Sequence, residues 1–385
     1  MDELRLKVMV WSGIYKLHTK NRFLGICHDV YRVIMILYIS IYTLQHLIFF
    51  CMNVIRGDAI EWQVAVFSLT MLNMVIKVIT IYTHTENIDE IHDLIKDPMF
   101  AATCKEDKDV IKKNEYHIGL FIRITYVGLL VCMILWVASI IFNRVVDDTA
   151  IPPSYFPFAT NPWPQYIFAT FMETVGSILW VGFGHFSIDC SVGSYYGRAA
   201  AQLRIIRYHL EHLFDNGGAQ GRFQYKDVLD KSLDEKFVYY VRRYQNVDRL
   251  IGSVSDAFNW GIAFHFATVT TCISLCVYRM SSKDFFSLDV FFMFATFCLY
   301  QMQNYMYCYC GDLVKNESDQ VCTSMYFSDW LAVSPRFRRK ILIAMTRWAR
   351  PIEPRVTIVP ISLTTFASIL RFSYTLYTMM KTRTM

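Results

Sequence analysis

Few residues in this chain are placed for bond-making chemistry. It contains no P-loop, GxGxxG, HExxH or GxSxG, so phosphate, dinucleotide, zinc-protease and nucleophile-elbow chemistries have no motif here. His185 and Asp189 stand four apart and share a helix face. Such a pair relays a proton or simply bonds across one helical turn. His265 stands in a hydrophobic run as a packed or water-facing histidine. Cys308-x-Cys310 is too close for a usual zinc pair and lacks partners, so no metal or cofactor is expected. Four further ionisable residues inside apolar runs bear on the reading. Lys77 and Arg123 lie near the ends of theirs, where a long side chain snorkels to water. Glu173 and Arg371 lie deeper, where a charge is costly, so each needs a partner or a wet cavity.

A second set of residues points to binding. Val66, Phe67, Thr70 and Met71 fall in one apolar run, and Met133, Trp136, Val137 and Ile140 in the next. Phe168, Phe171, Met172 and Val175 follow, then Thr271 and Cys272, then Phe291, Phe294 and Ala295. Helix packing explains each alone. Together they would line an apolar cavity with a few hydroxyls, suited to a small volatile or lipophilic molecule.

The elements that would position them are membrane spans. The chain has 385 residues, 54% hydrophobic and only 18% charged, against roughly 25% charged in ordinary soluble domains. Apolar runs near the spanning length of about 20 residues occur at 30–55, 62–83, 118–142, 166–190, 257–278, 288–310 and 356–380. The fold class is therefore an all-α membrane protein with seven transmembrane helices. The amino-terminal segment 1–29 carries charges throughout and lacks a cleavable apolar region. Lys and Arg crowd that segment and the second, fourth and sixth connections, and are sparse in the first, third and fifth. The bias places the amino terminus in the cytoplasm and the carboxyl terminus outside. The sequon Asn316-Glu317-Ser318 then lies inside, unmodified. The eleven cysteines fall mostly in apolar runs, and no structural disulfide is expected. The net charge of +5 fits membrane topology, and no basic, aromatic-interleaved block points to nucleic acid.

The spans leave long cytoplasmic connections. Leu203, Ile206, Leu210 and Leu213 form one apolar stripe, and Leu233, Phe237, Tyr240, Tyr244, Val247 and Ile251 another. They predict a helical stem over 196–256, extending from a six-helix bundle over 30–310. A further amphipathic helix is expected at Tyr326–Arg350, with Trp330, Phe337 and Trp348 on its apolar face. That face needs a cover: a partner subunit, the chain's own stem, or the membrane surface. The region 311–355 is read as a cytoplasmic anchor. The outer loop Asn143–Gln165 holds five prolines and four aromatic residues and either lids the bundle or packs on it. The last span, in 356–385, alternates greasy residues with Ser362, Thr364, Thr365, Ser368, Arg371, Ser373, Thr375 and Thr378. This pattern suits a helix beside a water-filled path; hydroxyls bonding back to their own helix would also explain it.

The carboxyl-terminal third carries a resemblance. Thr323-Ser-Met-Tyr-Phe-Ser-Asp-Trp330, Arg338-Arg-Lys-Ile-Leu342, Thr346-Arg-Trp-Ala-Arg-Pro351 and Leu363-Thr-Thr-Phe-Ala-Ser-Ile-Leu-Arg-Phe-Ser-Tyr374 together resemble the insect odorant receptor family. The resemblance implies the odorant-binding subunit of a heteromeric ligand-gated, non-selective cation channel in the plasma membrane of a sensory dendrite. Its partner would be the odorant co-receptor, in a tetramer among membrane lipid, with a small volatile as ligand. The anchor helices, with Trp330, Phe337 and Trp348, would hold subunits together. Alignment with the co-receptor's similar run puts Met379 at the apolar constriction and Thr382 near an outer polar ring, where the co-receptor has Val and Gln. This chain also lacks the co-receptor's long insertion in the fourth connection. A self-sufficient gustatory-type channel is the nearest alternative. A G-protein-coupled receptor is further away, because Asp-Arg-Tyr and Asn-Pro-x-x-Tyr signals are missing.

Overall fold

The computed structural model describes residues 2–17, 21–56, 62–146, 154–176, 182–214, 227–281 and 287–384. Among them the chain is helical almost throughout. The helices are α1 (Asp2–Trp11), α2 (Arg22–Arg56), α3 (Trp62–Thr83), α4 (Thr85–Lys96) and α5 (Lys105–Val146). Then come α6 (Trp163–Gly176), α7 (His185–Glu211), α8 (Asp227–Met280), α9 (Leu288–Phe327), α10 (Pro335–Trp348) and α11 (Leu363–Thr384). A two-stranded hairpin, β1 (Arg355–Val356) and β2 (Val359–Pro360), precedes α11. α2, residues Val64–Thr83 of α3, α5 and residues Lys231–Met280 of α8 are long and apolar enough to cross a membrane. The fourth expected span falls on α6 and on α7, which a π-helical turn at 182–184 leads into; residues 177–181 lie outside the described residues.

Several helices far exceed a bilayer. α8 has 54 residues, roughly 80 Å at the α-helical rise. Its apolar stripe of Leu233, Phe237, Tyr244, Val247, Leu250 and Ile251 is buried and belongs to one core with Leu203, Ile206 and Leu210 of α7. The stem expected from those two stripes is therefore a continuation of the same helices. α9 likewise runs on to Phe327.

Two expected boundaries are corrected. The single helix at Tyr326–Arg350 is broken: α9 ends at Phe327, a 3-10 turn covers Trp330–Ala332, and α10 starts afresh at Pro335. Ser334 caps α10 by accepting from the Phe337 N–H, and Pro335 occupies the first helical turn, where its missing N–H costs nothing. The last span starts at Leu363, not Val356, because Pro360 is held in the hairpin and Ser362 accepts from the Thr365 N–H. The two-residue hairpin turn requires positive φ, which Thr357 supplies at 53°. Asn259 of α8 braces it, its Oδ1 accepting from the Thr357 N–H at 2.6 Å. A side chain at Gly311 of α9 would collide with the Ile361 carbonyl, so glycine lets the hairpin's exit lie against α9.

The apolar face of α10 is covered by the chain's own stem. Phe337 and Trp348 both make edge contacts with Phe237, and Trp348 also meets Tyr244. Burial pushes the Tyr244 phenol up to about 12. Lys340–Asp234 and Arg347–Asp248 ion pairs flank the packed face. At the start of α5, burial raises the Asp107 carboxyl. Hydrogen bonds from the Thr103 N–H and hydroxyl, Cys104 and His209 outweigh it and hold Asp107 at about 2. This α5–α7 tie therefore contributes fully above about pH 4 and is lost as pH falls toward about 2. Trp348→Ala should cost about 3–5 kcal/mol, the usual loss for a buried tryptophan. A thermal-unfolding midpoint within a degree of wild type would contradict this packing.

Candidate functional site

The centre of the bundle holds a buried polar network. Lys77 comes from α3, His185 and Asp189 from α7, His265 from α8, and Gln303 and Tyr307 from α9. None is more than 2% exposed. The Lys77 ammonium bonds Asp189 Oδ1 and stands 3.1 Å from His185 Nε2 and 3.2 Å from His265 Nδ1. Tyr307 donates to Asp189 Oδ1 at 2.5 Å, and Gln303 Nε2 to Oδ2 at 2.8 Å. Asn73 Nδ2 lies 3.1 Å from both histidines. Lys77 therefore does not snorkel: a carboxylate and two imidazoles on facing helices give the ammonium a full set of acceptors inside. The i,i+4 contact of His185 with Asp189 is long, 3.7 Å, because Asp189 is already engaged by Lys77, Tyr307 and Gln303. His185, Asp189 and His265 are close enough to share a metal ion, but the Lys77 ammonium occupies the cationic position among them.

A cavity of about 60 Å³ lies against this network, between α3, α5, α7 and α9. His185 and Gln303 line one end. Val66, Phe67, Thr70, Met133 and Trp136, five of the sequence candidates, line it with Leu129, Cys132, Phe186, Phe292, Thr296, Leu299 and Tyr300. Thr70 donates to the Val66 carbonyl, so Tyr300 OH, 2.7 Å away, donates to Thr70. Ile140 and Cys272 are buried in the same core, and Val137 and Ala295 pack against it. The other candidates lie elsewhere. Met71 is buried against Tyr42. Met172 accepts at its carbonyl from Tyr38, and Val175 is half-buried. Phe168, Phe171, Phe291 and Phe294 are exposed on the outside of the bundle, as is Thr271. A larger cavity of about 420 Å³ opens between α5, α7 and α9 beside Lys113, His117 and Arg204. Its charged rim suits a small apolar molecule less well than the apolar walls of the smaller site.

Glu173 finds the partners its depth demands. Ser154 donates to Oε2 at 2.6 Å, Tyr42 to Oε1 at 3.2 Å, and His46 Nε2 is 3.0 Å from Oε1. Of the outer loop, residues 147–153, with Pro152 and Pro153, lie outside the described residues. The remainder packs back on the bundle. Phe158 meets Phe168, and Arg144 lies over the Tyr166 ring and donates to the Asn161 carbonyl at 2.5 Å.

On α11, Ser373 is buried and faces α8. Its hydroxyl bonds back to the Ile369 carbonyl at 2.9 Å and stands 3.3 Å from the Thr270 carbonyl, while its own carbonyl lies 2.9 Å from Ser274 Oγ. Thr364, Ser368, Arg371, Thr375, Met379 and Thr382 are all exposed. Ser368, Thr375, Thr378 and Thr382 also bond back to their own helix. Of the anchor candidates, Phe337 and Trp348 are spent on the stem, and Trp330 is half-buried beside the same core. Sequence reading missed the polar face of α9. Thr296, Tyr300, Gln303 and Tyr307 recur at helical spacing, a usable signal in an otherwise apolar run.

The family profile described as 7tm Odorant receptor matches residues 58–374. The chain belongs to the 7tm odorant receptor family. The receptor is 25% identical to a Drosophila melanogaster protein described as putative odorant receptor 69a, isoform A, over 58% of this chain and 55% of that one. The match thus spans about half of that relative's length. Drosophila odorant receptor 19a matches at 21% over 86% of this chain and 84% of its own. In fold, the receptor matches the olfactory receptor OR5 of Machilis hrabei, solved with eugenol, with a TM-score of 0.84 at 14% identity. That match covers 98% of this chain and 96% of OR5. With its membrane-length helices, the chain is therefore a multi-pass membrane protein of the 7tm odorant receptor family.

The network makes a sharp expectation. Lys77→Met leaves a buried carboxylate without its cation and should destabilise by about 3–5 kcal/mol. Adding Asp189→Asn, which still accepts from Tyr307, should recover a large part of that. Simply additive losses in thermal unfolding would show that the two side chains do not act as a pair.

Proposed function

We propose that this receptor is the odorant-tuning subunit of a heteromeric ligand-gated, non-selective cation channel. The partner is an odorant co-receptor, the assembly a tetramer in the plasma membrane, and the ligand a small volatile in the cavity between α3, α5, α7 and α9. The observation that carries this reading is the exposed polar face of α11. Thr364, Ser368, Arg371 and Thr375 stand on the outside of a single chain. Lipid is a poor environment for that face, and a water-filled path between subunits is a good one. In this reading the carboxyl terminus is extracellular, and Met379 and Thr382 lie toward the narrow and outer parts of the path.

Gating then requires the ligand to bind the open state more tightly than the closed one. A physical route runs from cavity to path. His185 and Gln303 line the cavity and hold the Lys77 network. His265 brings α8 into that network, and Thr270 and Ser274 of α8 bond α11 at Ser373. Assembly would draw on apolar residues outside the bundle that the fold leaves uncovered. Phe327, Leu331 and Ile343 are 76%, 61% and 73% exposed, next to the stem that would serve as the anchor.

The test is whole-cell current in a null cell line. The chain is expressed alone, the co-receptor alone, and both together, against a panel of small volatiles with blockers of the GTP cycle present. The expected result is a blocker-resistant odorant current that needs both chains and that the co-receptor alone does not give. A current from this chain alone would instead indicate a self-sufficient gustatory-type channel, and a blocker-sensitive response a G-protein-coupled receptor.

A further inference from the structure

The cavity is apolar on nearly all sides, and two of the residues that line it hold buried polar atoms without hydrogen-bond partners among the described residues. One is Gln303 Oε1, the other Trp136 Nε1. Gln303 is 2% exposed and Trp136 0%, and both residues line the cavity. The Asp189 carboxylate orients the Gln303 amide, whose Nε2 also stands 3.2 Å from His185 Nδ1. Its Nε2 faces Asp189 Oδ2 at 2.8 Å, and turning the amide over would set oxygen against a carboxylate. Oε1 is therefore a free acceptor, while the indole N–H can only donate.

The two atoms belong to different ends of the site. α5 and α9 run antiparallel there, with Cys132 Sγ 3.3 Å from Thr296 Oγ1 and Gly128 facing Leu299. Trp136 lies one turn beyond Cys132 in one direction, and Gln303 one turn beyond Leu299 in the other. A buried donor or acceptor left unsatisfied is unfavourable, so a ligand that completes both gains over one that does not. We propose that the site selects small apolar molecules oxygenated at both ends, with a hydroxyl that donates to Gln303 Oε1 and an oxygen that accepts from Trp136 Nε1–H. Hydrocarbons of the same shape are discriminated against. The half-buried thioether of Met133, a flexible wall of the cavity, gives way to admit the ligand body.

This inference rests on the cavity being the odorant site, but its test does not depend on conduction. Four para-disubstituted benzenes of similar size form a square: 4-methoxyphenol offers both functions, 4-ethylphenol the donor hydroxyl, 4-methylanisole the acceptor alone, and 4-ethyltoluene neither. Binding to the purified receptor is read as ligand-dependent thermal stabilisation, for wild type, Trp136→Phe and Gln303→Met. In wild type, 4-methoxyphenol should bind tightest and 4-ethyltoluene weakest, with about tenfold for each function satisfied. Trp136→Phe should erase the advantage of 4-methylanisole while 4-ethylphenol keeps its bond to Gln303, and Gln303→Met should spare 4-methylanisole and bring 4-methoxyphenol down to its level. Unchanged stabilisation by 4-ethyltoluene shows that each variant keeps its fold and cavity. Equal binding of all four probes, binding of none, or the same ligand ranking in both variants would overturn the proposal. If the pattern holds while no current appears, the site stands and the channel reading falls.

Discussion

The structure depends on one buried ion pair. Lys77 of α3 and Asp189 of α7 meet where water is excluded, and neither charge is tolerable there without the other. Satisfying them recruits Tyr307 and Gln303 from α9 and His265 from α8. A single polar requirement thus fixes the mutual position of four helices. Apolar packing alone specifies register weakly between long greasy helices, since lipid and neighbouring side chains offer similar surroundings. The network is directional: it places His185 and Gln303 at the end of the cavity and fixes how far α8 and α9 stand from it.

The same residues therefore belong to two parts of the molecule. Gln303 and His185 are both a wall of the cavity and supports of the ion pair. In the gating proposed above, a molecule pressing on them would act on α3, α7, α8 and α9 together. In that proposal α8 would carry the influence outward, since it is continuous from the stem through the bundle and contacts α11 at Ser373. At the far end, the stem is held by Phe337 and Trp348 of α10 and by the hairpin that Asn259 braces.

Much of this was legible in the sequence. Hydrophobic run length gave the spans, and the stripes Leu203–Leu213 and Leu233–Ile251 gave the stem, because burial on a helix leaves a 3.6-residue period. Trp136, Phe67 and Thr70 meet around one cavity, whereas Phe168, Phe171 and Phe294 are exposed on the outside. The difference is rotational: an aromatic residue in a span suits lipid and cavity equally, and composition does not say which way a helix is turned. Lys77 was misread for a related reason. A lysine near the end of a span satisfies the snorkelling rule, and its true partner lies 112 residues away on α7, a distance no local pattern encodes. The break at Ser334-Pro335 was readable from capping chemistry, but the apolar periodicity continued across it and masked the stop.

The central claim is that α11 turns its polar face to an ion path and its Ser373 face to α8. Cysteine substitution along α11, in receptors co-expressed with the co-receptor and probed with a charged thiol reagent during odorant application, tests this most directly. The account predicts that modification at Thr364→Cys, Ser368→Cys, Arg371→Cys and Thr375→Cys changes the current, and that Ser373→Cys does not react. Reactivity at Ser373→Cys, or currents unaltered after modification at all four exposed positions, would contradict the account and place the ion path elsewhere.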